Sequence, residues 1–474
     1  MSSKKEPTIK RFAGLTADSR AVQPGFLFAA LPGTKNDGRE FIADAISRGA
    51  MAVLAPIGTP VPDSVELITH ANPRAAFARM AAEFYGAQPE VIFAVTGTNG
   101  KTSTVNLLKQ IWEGLGHSAA AMGTLGVFGT HFAQEGSLTT PDPVRLHETL
   151  ANLKKNSIDH LAIEASSHGI DQERLAGVKI AAGIFTNLTR DHLDYHGTLE
   201  NYFAAKTRLF TELLPAGAAA AINVDDEYGR RLIATIGSRL RICSFGAHES
   251  ADLKLLNYTP HADGFDVQLS YQNKNHAMHL PLLGKFQIWN TMGALSALLL
   301  SGTPMEKLLP LVAQLKPVRG RLELVGRAAA GAPVFVDYAH TPDALENVLS
   351  AVREHAHGRL TVIFGCGGNR DKGKRPQMGA IAVRMAEHVI VTDDNPRHED
   401  AAMIRAEVMA GATGACEIGD RRAAIETAIL ELGAGDILVI AGKGHEQGQI
   451  IGDQIIPFDD AAVAQEFLSQ RGAA

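Results

Sequence analysis

Short apolar runs alternate with amphipathic stretches along most of this chain, from about residue 89 to its end. Such alternation is typical of parallel β-strands joined by right-handed helical crossovers, so it restricts the fold to the α/β class. The predicted strands are Val91–Val95, Leu161–Ala165, Ala181–Phe185, Ala218–Asn223, Val334–Asp337, Leu360–Phe364, His388–Val391 and Asp436–Ile440. The predicted helices are Thr104–Leu115, Tyr202–Leu214, Ile288–Leu300, Asp343–Glu354 and Arg421–Leu432.

Interruptions of this rhythm indicate three domains. Residues 251–282 alternate apolar and polar side chains, which predicts a small antiparallel section. Residues 315–321 contain proline and glycine and form a candidate hinge. We therefore predict a small mixed α/β domain at residues 1–88, a central P-loop-type domain with a mostly parallel sheet at 89–317, and a Rossmann-like α/β domain at 318–474.

Charge and cysteine content exclude several classes of protein. The 474-residue chain carries 45 Lys and Arg against 51 Asp and Glu, a net charge of −6, which argues against a broad nucleic-acid surface. Cys243, Cys366 and Cys416 are far apart in sequence and form no CxxC pair and no plausible disulfide framework, which fits a reducing compartment. No apolar stretch approaches the ~20 residues of a membrane span, and none forms a secretory signal. We expect a cytoplasmic protein that acts as a monomer.

The segment Val95–Ser103 (VTGTNGKTS) has the pattern of a phosphate-binding loop. A predicted strand precedes it and a predicted helix follows, so backbone N–H groups at the helix N-terminus can hold phosphate oxygens. Lys101 would reach the terminal phosphates and the Thr102 hydroxyl would bind Mg²⁺. The strict pattern has glycine in place of Val95, so this loop is a variant. A plain glycine turn is the alternative, but the flanking strand and helix favour nucleotide binding.

This loop and several later motifs together resemble the Mur ligases. TGTNGKTS is similar to the ATP loop of that family and of the related folylpolyglutamate synthetases. The other matching motifs follow in order along nearly the whole chain: Asp18–Arg20 with Pro24–Gly33, Glu164–Gly169 (EASSHG), Asn187–His196 (NLTRDHLDYH), Lys206 in AKTRLF, Asp337–Asp343 (DYAHTPD), Asp394–Arg397 (DNPR) and Gly442–Glu446 (GKGHE). The last two resemble signatures of the members that add diaminopimelate.

The resemblance implies an ATP-dependent ligase of peptidoglycan precursor synthesis. It would add meso-2,6-diaminopimelate to UDP-N-acetylmuramoyl-L-alanyl-D-glutamate, giving the UDP-muramoyl-tripeptide, ADP and phosphate. Because a carboxylate is a poor acyl donor, ATP would first convert the glutamate carboxylate into an acyl phosphate. The amine of diaminopimelate would then attack the acyl carbon and expel phosphate. Positioning and charge neutralisation would carry most of the phosphoryl step.

The family match assigns catalysis to Lys101, Glu164, His192 and Lys206, and Mg²⁺ binding to Thr102 together with the last three. Glu164 ends a predicted buried strand, where a carboxylate suits Mg²⁺; a capping or salt-bridged glutamate is the alternative. His192 and His196 are spaced as zinc ligands on a helix would be, but without the glutamate of an HExxH motif. In this family the lysine matching Lys206 is carbamylated by CO₂, which requires a neutral amine.

The resemblance also implies which residues hold the nucleotide and the UDP-linked substrate. Without it, most of them would be interpreted as loop or helix-capping residues. The predicted ATP-binding residues are Gly97, Thr98, Asn99, Gly100, Lys101, Thr102, Ser103, Asn290, Arg321, Asp337 and His340. The predicted contacts of the UDP-muramoyl dipeptide are Ala17, Ser19, Thr34, Lys35, Asn36, Thr139, Thr140, Ser166, Gln172 and Arg174.

Arg397 in DNPR suits the recognition of diaminopimelate. That substrate carries a carboxylate and an ammonium at its far end, whereas lysine carries only the ammonium. A guanidinium binds a carboxylate through two parallel hydrogen bonds and repels an ammonium, so it discriminates in both ways. A surface arginine after a proline turn is the alternative. The predicted pocket comprises Arg370, Asp394, Asn395, Pro396, Arg397, Gly442 and Glu446, with Glu446 pairing the far ammonium.

Four alternatives remain open at this point. A lysine-adding ligase conflicts with Arg397, and another Mur ligase or a folylpolyglutamate synthetase leaves DNPR and GKGHE without a role. A nucleotide-dependent switch predicts no acceptor pocket and no phosphate release stimulated by an amino acid. A zinc hydrolase built on His192 and His196 predicts bound zinc and no dependence on ATP.

Overall fold

The structure is a computed structural model that describes residues 9–33, 37–134, 138–261 and 264–472. It separates into two compact units. The first comprises Met1–Ala251 and Gly293–Pro304, and the second comprises Asp252–Met292 and Met305–Ala474. The predicted domain boundaries at residues 88 and 317 stay a prediction.

A small parallel sheet opens the first unit, and its four strands lie side by side in the order in which they occur along the chain. Its strands and helices are β1 (Gly14–Thr16), β2 (Phe26–Ala29), α1 (Ile42–Ser47), β3 (Ala52–Pro56), β4 (Glu66–His70) and α2 (Pro73–Tyr85). Helix α2 begins where the Asn72 side chain accepts a hydrogen bond from the Ala75 amide and Pro73 takes the first position. Leu27, Leu54 and Phe77 form part of the core beneath it.

A larger sheet forms the centre of the first unit. Its strands are β5 (Val91–Thr96), β6 (Ala119–Gly123), β7 (Gly126–Gly129), β8 (Phe132–Gln134), β9 (His160–Glu164), β10 (Ile180–Phe185), β11 (Ala219–Asn223) and β12 (Arg241–Gly246). Within this unit the strand order is β12-β11-β10-β5-β9-β6-β7-β8. The strands from β12 to β6 are parallel, as predicted. The pairings of β7 with β6 and β8 are antiparallel.

Helices cover this sheet and define where its loops turn. They are α3 (Lys101–Gly114), α4 (Pro143–Lys155), α5 (Ser167–Asp171), α6 (Leu193–His196), α7 (Leu199–Arg208) and α8 (Glu227–Ile236). The sequence predicts one helix over Tyr202–Leu214, but α7 ends at Arg208 and a π-helical turn, Leu209–Leu213, follows it. Short π-helical segments are frequent at functional sites.

In the second unit, β13 (Leu253–His261), β14 (Gly264–Tyr271) and β15 (Lys274–Leu280) form the predicted antiparallel section. Helix α9 (Phe286–Leu300) belongs to both units, because the chain passes from one to the other at Met292 and Gly293. Helix α10 (Met305–Val312) follows.

The main sheet of the second unit has helices on both faces. Its strands are β16 (Glu323–Arg327), β17 (Pro333–Asp337), β18 (Leu360–Phe364), β19 (His388–Val391), β20 (Cys416–Glu417) and β21 (Ile437–Ala441). Their order is β16-β17-β21-β18-β19-β20, parallel except at β16. Its helices are α11 (Pro342–Arg353), α12 (Lys374–Met385), α13 (Ala401–Met409), α14 (Arg421–Leu430) and α15 (Asp460–Gly472). A hairpin, β22 (Gly448–Ile451) with β23 (Gln454–Pro457), follows β21.

Alternate residues of these strands face opposite cores, as expected for a sheet covered on both sides. Val336 and Ile440 pack with α14 and α15, whereas Phe335 and Val439 pack with α11 to α13. Parallel strands bring their carboxyl ends to one edge, where α/β proteins bind ligands. Most of the predicted motifs follow such strand ends, whereas Lys206 lies on α7. No helix among the described residues is long and apolar enough to cross a membrane.

Candidate active-site residues

The loop after β5 has a backbone that only glycine allows at two points. Gly97 has φ +149°, and a Cβ there would lie 1.9 Å from the Thr186 hydroxyl. Gly100 has φ +87° and precedes the first residue of α3. The N-terminus of α3 therefore begins immediately after a tight loop, which is the arrangement that binds phosphate.

Two predicted catalytic lysines converge on this loop. The Lys101 ammonium donates to the Gly97 carbonyl at 2.9 Å and to the Thr98 carbonyl at 2.8 Å. The Lys206 ammonium, from α7, donates to the same Gly97 carbonyl at 2.8 Å. The fold thus brings together two cations that are 105 residues apart in sequence, as the family resemblance requires.

Lys206 is buried rather than solvated, unlike most lysines on helices. Its ammonium lies 4.4 Å from the centre of the Tyr202 ring. Burial holds the pKa of Lys206 well below its usual value, and the nearby Lys101 cation lowers it further. A lysine in this setting favours the neutral amine that CO₂ requires.

Glu164 is the hub of hydrogen bonds at the end of β9. Its Oε1 atom accepts from the Thr102 hydroxyl at 2.9 Å and from the Thr124 amide at 3.0 Å. The Thr124 hydroxyl donates to Oε2 at 3.3 Å. A Cβ at Gly123 would lie 2.0 Å from the Glu164 carboxylate, so only glycine leaves room for it. Thr124 follows a strand that the sequence analysis does not predict, and for this reason it was missed.

His192 lies just before α6, not within it, so His192 and His196 are not two ligands on one helix. Its φ of +53° is a strained left-handed conformation for a histidine. Burial lowers the pKa of His192 to about 4, against the opposing effect of the Asp191 carboxylate. The rings of His192 and His196 both pack on His168, with centroids 4.8 and 5.6 Å away.

The predicted dipeptide contacts form one chain of hydrogen bonds beside Glu164. Thr139 reaches the Thr124 hydroxyl at 3.1 Å. The Thr140 hydroxyl lies 2.9 Å from the Glu164 carbonyl and 3.0 Å from the Ser166 hydroxyl. Arg174 donates to the Thr140 carbonyl and to Gln172, both at 2.7 Å.

Tyr195 extends this chain and was missed as a site residue, although it lies within NLTRDHLDYH. Its hydroxyl donates to Asp171 at 2.7 Å and accepts from Gln172 at 3.2 Å. At the N-terminal sheet, Ser19 is buried in a short helical turn after Asp18, and Ala17 is exposed. The predicted UDP contacts Thr34, Lys35 and Asn36 lie outside the described residues.

In the second unit, Asp337 ends β17 with its side chain buried. Its two oxygens accept the amides of Leu322, at 2.6 Å, and Ala339, at 2.7 Å. Burial raises the pKa of Asp337 to about 6, although Arg321 and the two amides lower it.

Two further predicted nucleotide residues of this unit, Arg321 and His340, lie against the Tyr338 ring. Arg321 lies 4.8 Å from the centre of the Tyr338 ring, and the His340 ring packs on the same tyrosine. Asn290, on α9, donates to Gln287 at 2.9 Å.

Residues of DNPR and GKGHE meet at the ends of β19 and β21. Asn395 donates to Glu446 at 2.7 Å, although the two are 51 residues apart in sequence. Lys443, which the sequence analysis did not single out, donates to Asn395 at 3.2 Å and to Glu446 at 3.1 Å. Gly442 has φ +110°, and a Cβ there would lie 2.9 Å from the buried Asp394 carboxylate.

Arg397 is held in a left-handed conformation, with φ +54°. Its Nη1 atom donates to the Gly368 carbonyl at 3.0 Å, and a Cβ at Gly367 would lie 2.8 Å from Nη1. The carbonyl of Pro396 packs against Gly368. Arg370 is exposed on the same loop. The predicted amino-acid residues therefore occupy one edge of one sheet.

Three family models match this chain. The model for the N-terminal part, described as "Mur ligase family, catalytic domain", covers residues 11–85, the Mur ligase middle domain covers 95–298, and the "Mur ligase, glutamate ligase domain" covers 320–444. A UDP-N-acetylmuramoyl-L-alanyl-D-glutamate–2,6-diaminopimelate ligase of Brucella melitensis biotype 1 is 51% identical over 462 residues, which cover 97% of this chain and 94% of the relative.

Solved structures agree with these sequence matches. A structure of a UDP-N-acetylmuramoyl-L-alanyl-D-glutamate–2,6-diaminopimelate ligase superposes with a TM-score of 0.71 at 35% identity, covering 97% of this chain and 95% of that one. The MurF ligase from Thermotoga maritima in complex with ADP shares the fold, with a TM-score of 0.63 at 16% identity over 98% of this chain and 99% of its own.

This chain belongs to the Mur ligase family. It is a ligase with the three-domain α/β architecture of that family, so the predicted family and fold class are confirmed.

Proposed function

We propose that this chain uses ATP and Mg²⁺ to join meso-2,6-diaminopimelate to UDP-N-acetylmuramoyl-L-alanyl-D-glutamate. The reaction gives the UDP-muramoyl-tripeptide, ADP and phosphate in peptidoglycan precursor synthesis. The observation that carries this proposal is the hydrogen-bonded cluster of Asn395, Lys443 and Glu446 beside Arg397. Arg397 supplies a guanidinium for the carboxylate at the far end of diaminopimelate, and Glu446 supplies a carboxylate for the ammonium there. The names and full-length identity of the relatives support the same substrate.

The nucleotide would bind in the loop after β5. The amides at the start of α3 and the Lys101 ammonium suit its phosphates. Asp337, Arg321, His340 and Asn290 are proposed for the nucleoside side by family resemblance. The Thermotoga maritima MurF ligase, which shares this fold, has been solved in complex with ADP, and this supports the proposal.

Thr102 and Glu164 are suited to hold Mg²⁺. Both offer oxygen atoms, which Mg²⁺ prefers, and their oxygens already lie 2.9 Å apart. His192 and a carbamylated Lys206 would complete the proposed metal set. When bound, Mg²⁺ neutralises phosphate charge and polarises the transferred group.

The chain's own groups would carry the rest of the reaction. Arg174 and Ser166 would hold the muramoyl dipeptide so that its glutamate carboxylate meets the terminal phosphorus of ATP. Lys101 would stabilise the charge that develops on the transferred phosphoryl group. Arg397 and Glu446 would hold diaminopimelate by its far end, which leaves its other amine to attack the acyl carbon and expel phosphate.

A cytoplasmic location is part of the proposal. Its support is that ATP and a UDP-linked precursor are cytoplasmic metabolites and that all three cysteines are free thiols. The expected monomeric state stays a prediction, which analytical ultracentrifugation can test.

The test is phosphate release from ATP in the presence of the UDP-linked dipeptide, with meso-diaminopimelate or L-lysine as acceptor. We expect strong stimulation by diaminopimelate alone. In Arg397→Ala, kcat/KM for diaminopimelate should fall by about 100-fold, because a charge-assisted bidentate contact is lost.

Each other result has a distinct meaning. Equal stimulation by lysine would retain a ligase but contradict the role of Arg397. Phosphate release that no amino acid stimulates would favour the nucleotide-switch alternative.

A further inference from the structure

Lys443 occupies the centre of the cluster at the end of β21. Its side chain is 0% exposed. The ammonium donates to the Asn395 side-chain oxygen at 3.2 Å, to Glu446 Oε2 at 3.1 Å and to the Gly448 carbonyl at 2.6 Å. Because an ammonium has three donors, these three acceptors satisfy it completely. A buried charge with a full set of partners holds those partners in one arrangement.

One of the contacts made by Lys443 holds the Glu446 side chain in place. Lys443 and the Asn395 amide, the latter at 2.7 Å, both bond to the same oxygen, Oε2. The other oxygen, Oε1, accepts no hydrogen bond from any described residue, and the side chain is 31% exposed. Lys443 therefore fixes Glu446 through one oxygen and leaves the second available to a ligand ammonium.

A second contact of Lys443 connects it to Arg397 through the β22–β23 hairpin. Lys443 binds the carbonyl of Gly448, where the hairpin begins. Two residues further on, the Ile450 carbonyl accepts the Arg397 amide at 3.0 Å, and the Ile450 amide donates to Asn395 at 2.9 Å. The Gly452 amide donates to the Arg397 carbonyl at 2.7 Å. The hairpin thus holds the strained backbone from which the Arg397 side chain extends.

We infer that Lys443 is a positioning residue for amino-acid selection, because it ties the acidic end and the basic end of the cluster to one buried cation. This inference rests on the proposed function. Without Lys443, Glu446 would keep only the hydrogen bond from Asn395 and would lose its buried cation, so it would be held less firmly and would attract any ammonium more strongly. Arg397 would also lose part of its support, so its contact with the carboxylate that only diaminopimelate carries would contribute less to binding. The protein should then accept lysine more readily.

The experiment is a competition between meso-diaminopimelate and L-lysine at equal concentrations, with ATP and the UDP-linked dipeptide, and products separated by mass. For Lys443→Met we expect the ratio of diaminopimelate product to lysine product to fall by at least about tenfold. The KM for diaminopimelate should rise while the KM for ATP stays within about twofold. A purely structural defect would lower both products together and leave their ratio unchanged.

Arg421→Met is the matched control, because it also removes a fully buried cation from the same sheet edge. Arg421 bonds to Asp460 at 2.7 Å and to the carbonyls of Asp393 and Ala441, but to no side chain of the cluster. Its loss should therefore alter the product ratio much less than the loss of Lys443. Lys443→Gln is a second variant, which keeps a donor for the Gly448 carbonyl without the charge and carries the test if Lys443→Met does not fold. We expect a smaller fall in its product ratio.

The outcomes separate the two proposals. A wild type that forms neither product would overturn the proposed function. A wild type that selects diaminopimelate, with Lys443 variants that keep the same ratio, would overturn the inference about Lys443 alone.

Discussion

Both units bury cations beside their predicted sites, but the two units compensate these cations differently. In the first, Lys206 contacts a backbone carbonyl and a tyrosine ring, and no described carboxylate lies within ion-pair distance of it. In the second, Arg421 has Asp460, Arg375 has Glu399 and Glu407, and Lys443 has Glu446. Burying an uncompensated charge is costly, so the first arrangement favours the neutral amine of Lys206, which suits carbamylation. The buried cations of the second unit, which are paired with carboxylates, instead hold loops in one conformation.

The largest effect should come from Lys206→Met in the first unit. We expect kcat for phosphate release to fall by about 10⁴-fold, as when a charge-stabilising group is removed from phosphoryl transfer. The free energy of unfolding should not fall, because a polar group that is costly to bury is replaced by an apolar one. Activity assays and urea unfolding of the same preparations measure both quantities.

The modification of Lys206 can be observed directly. In protein equilibrated with ¹³C-bicarbonate, we expect a carbamate carbon signal by NMR that Lys206→Met lacks. Near-normal activity of Lys206→Met would contradict the claim that the buried lysine of the first unit serves the reaction, whereas the paired cations of the second unit serve the fold.

Arg421→Met should show the opposite pattern in the second unit. It leaves the Asp460 carboxylate fully buried without its partner, which should lower the free energy of unfolding by about 3–5 kcal/mol. The kcat of the folded protein should change little. The double variant Arg421→Met with Asp460→Leu should recover much of the stability, since the unpaired charge is gone. Lost activity with unchanged stability would mean that Arg421 acts in the site itself.

Asp337 should make the free energy of unfolding depend on pH. Its pKa in the folded protein is about 6, above the 3.8 of an unperturbed aspartate. Between those values the folded state binds more protons, so stability falls as pH rises from about 4 to 6 and is level above that. Relative to Asp337→Asn, the wild type should lose on the order of 3 kcal/mol across this window. Parallel urea-unfolding profiles for the two proteins would contradict the raised pKa.

Glu164→Gln should give the smallest effect of this series. The amide still fits the space over Gly123 but carries no charge. The Mg²⁺ concentration for half-maximal activity should rise by about 10- to 100-fold. Thr124→Val is the matched control: it removes the 3.3 Å contact to the same carboxylate and the 3.1 Å contact to the Thr139 hydroxyl, and leaves the Glu164 charge in place. It should shift the Mg²⁺ requirement much less. An unchanged Mg²⁺ requirement would assign Glu164 to the structure of the loop alone.

Much of the fold could be predicted from sequence because buried parallel strands and their helices have simple patterns. The predicted strands Leu360–Phe364 and His388–Val391 coincide with β18 and β19. The π-helical turn after Arg208 was not predictable, since one extra residue in a helical turn leaves the apolar pattern almost unchanged.

The candidate site was predictable only where residues lie in recognisable motifs. Thr124 follows a glycine-ended strand without any such motif, and its role depends on which strand lies beside β9. Lys443 lies within GKGHE, but nothing in the sequence distinguishes a buried, fully paired lysine from a solvated one. Burial and hydrogen-bond partners are visible only in the tertiary structure. They distinguish Lys206, which has no carboxylate partner among the described residues, from Lys443, which is fully paired and supports a loop.

The most direct test of the central claim is the mass of the product formed from ATP, UDP-N-acetylmuramoyl-L-alanyl-D-glutamate and meso-diaminopimelate by the wild-type protein. We predict a single product heavier than the dipeptide substrate by one diaminopimelate residue, formed in equal amounts with ADP and phosphate. Consumption of ATP without that product, or a product containing a different amino acid when several are offered, would contradict the account.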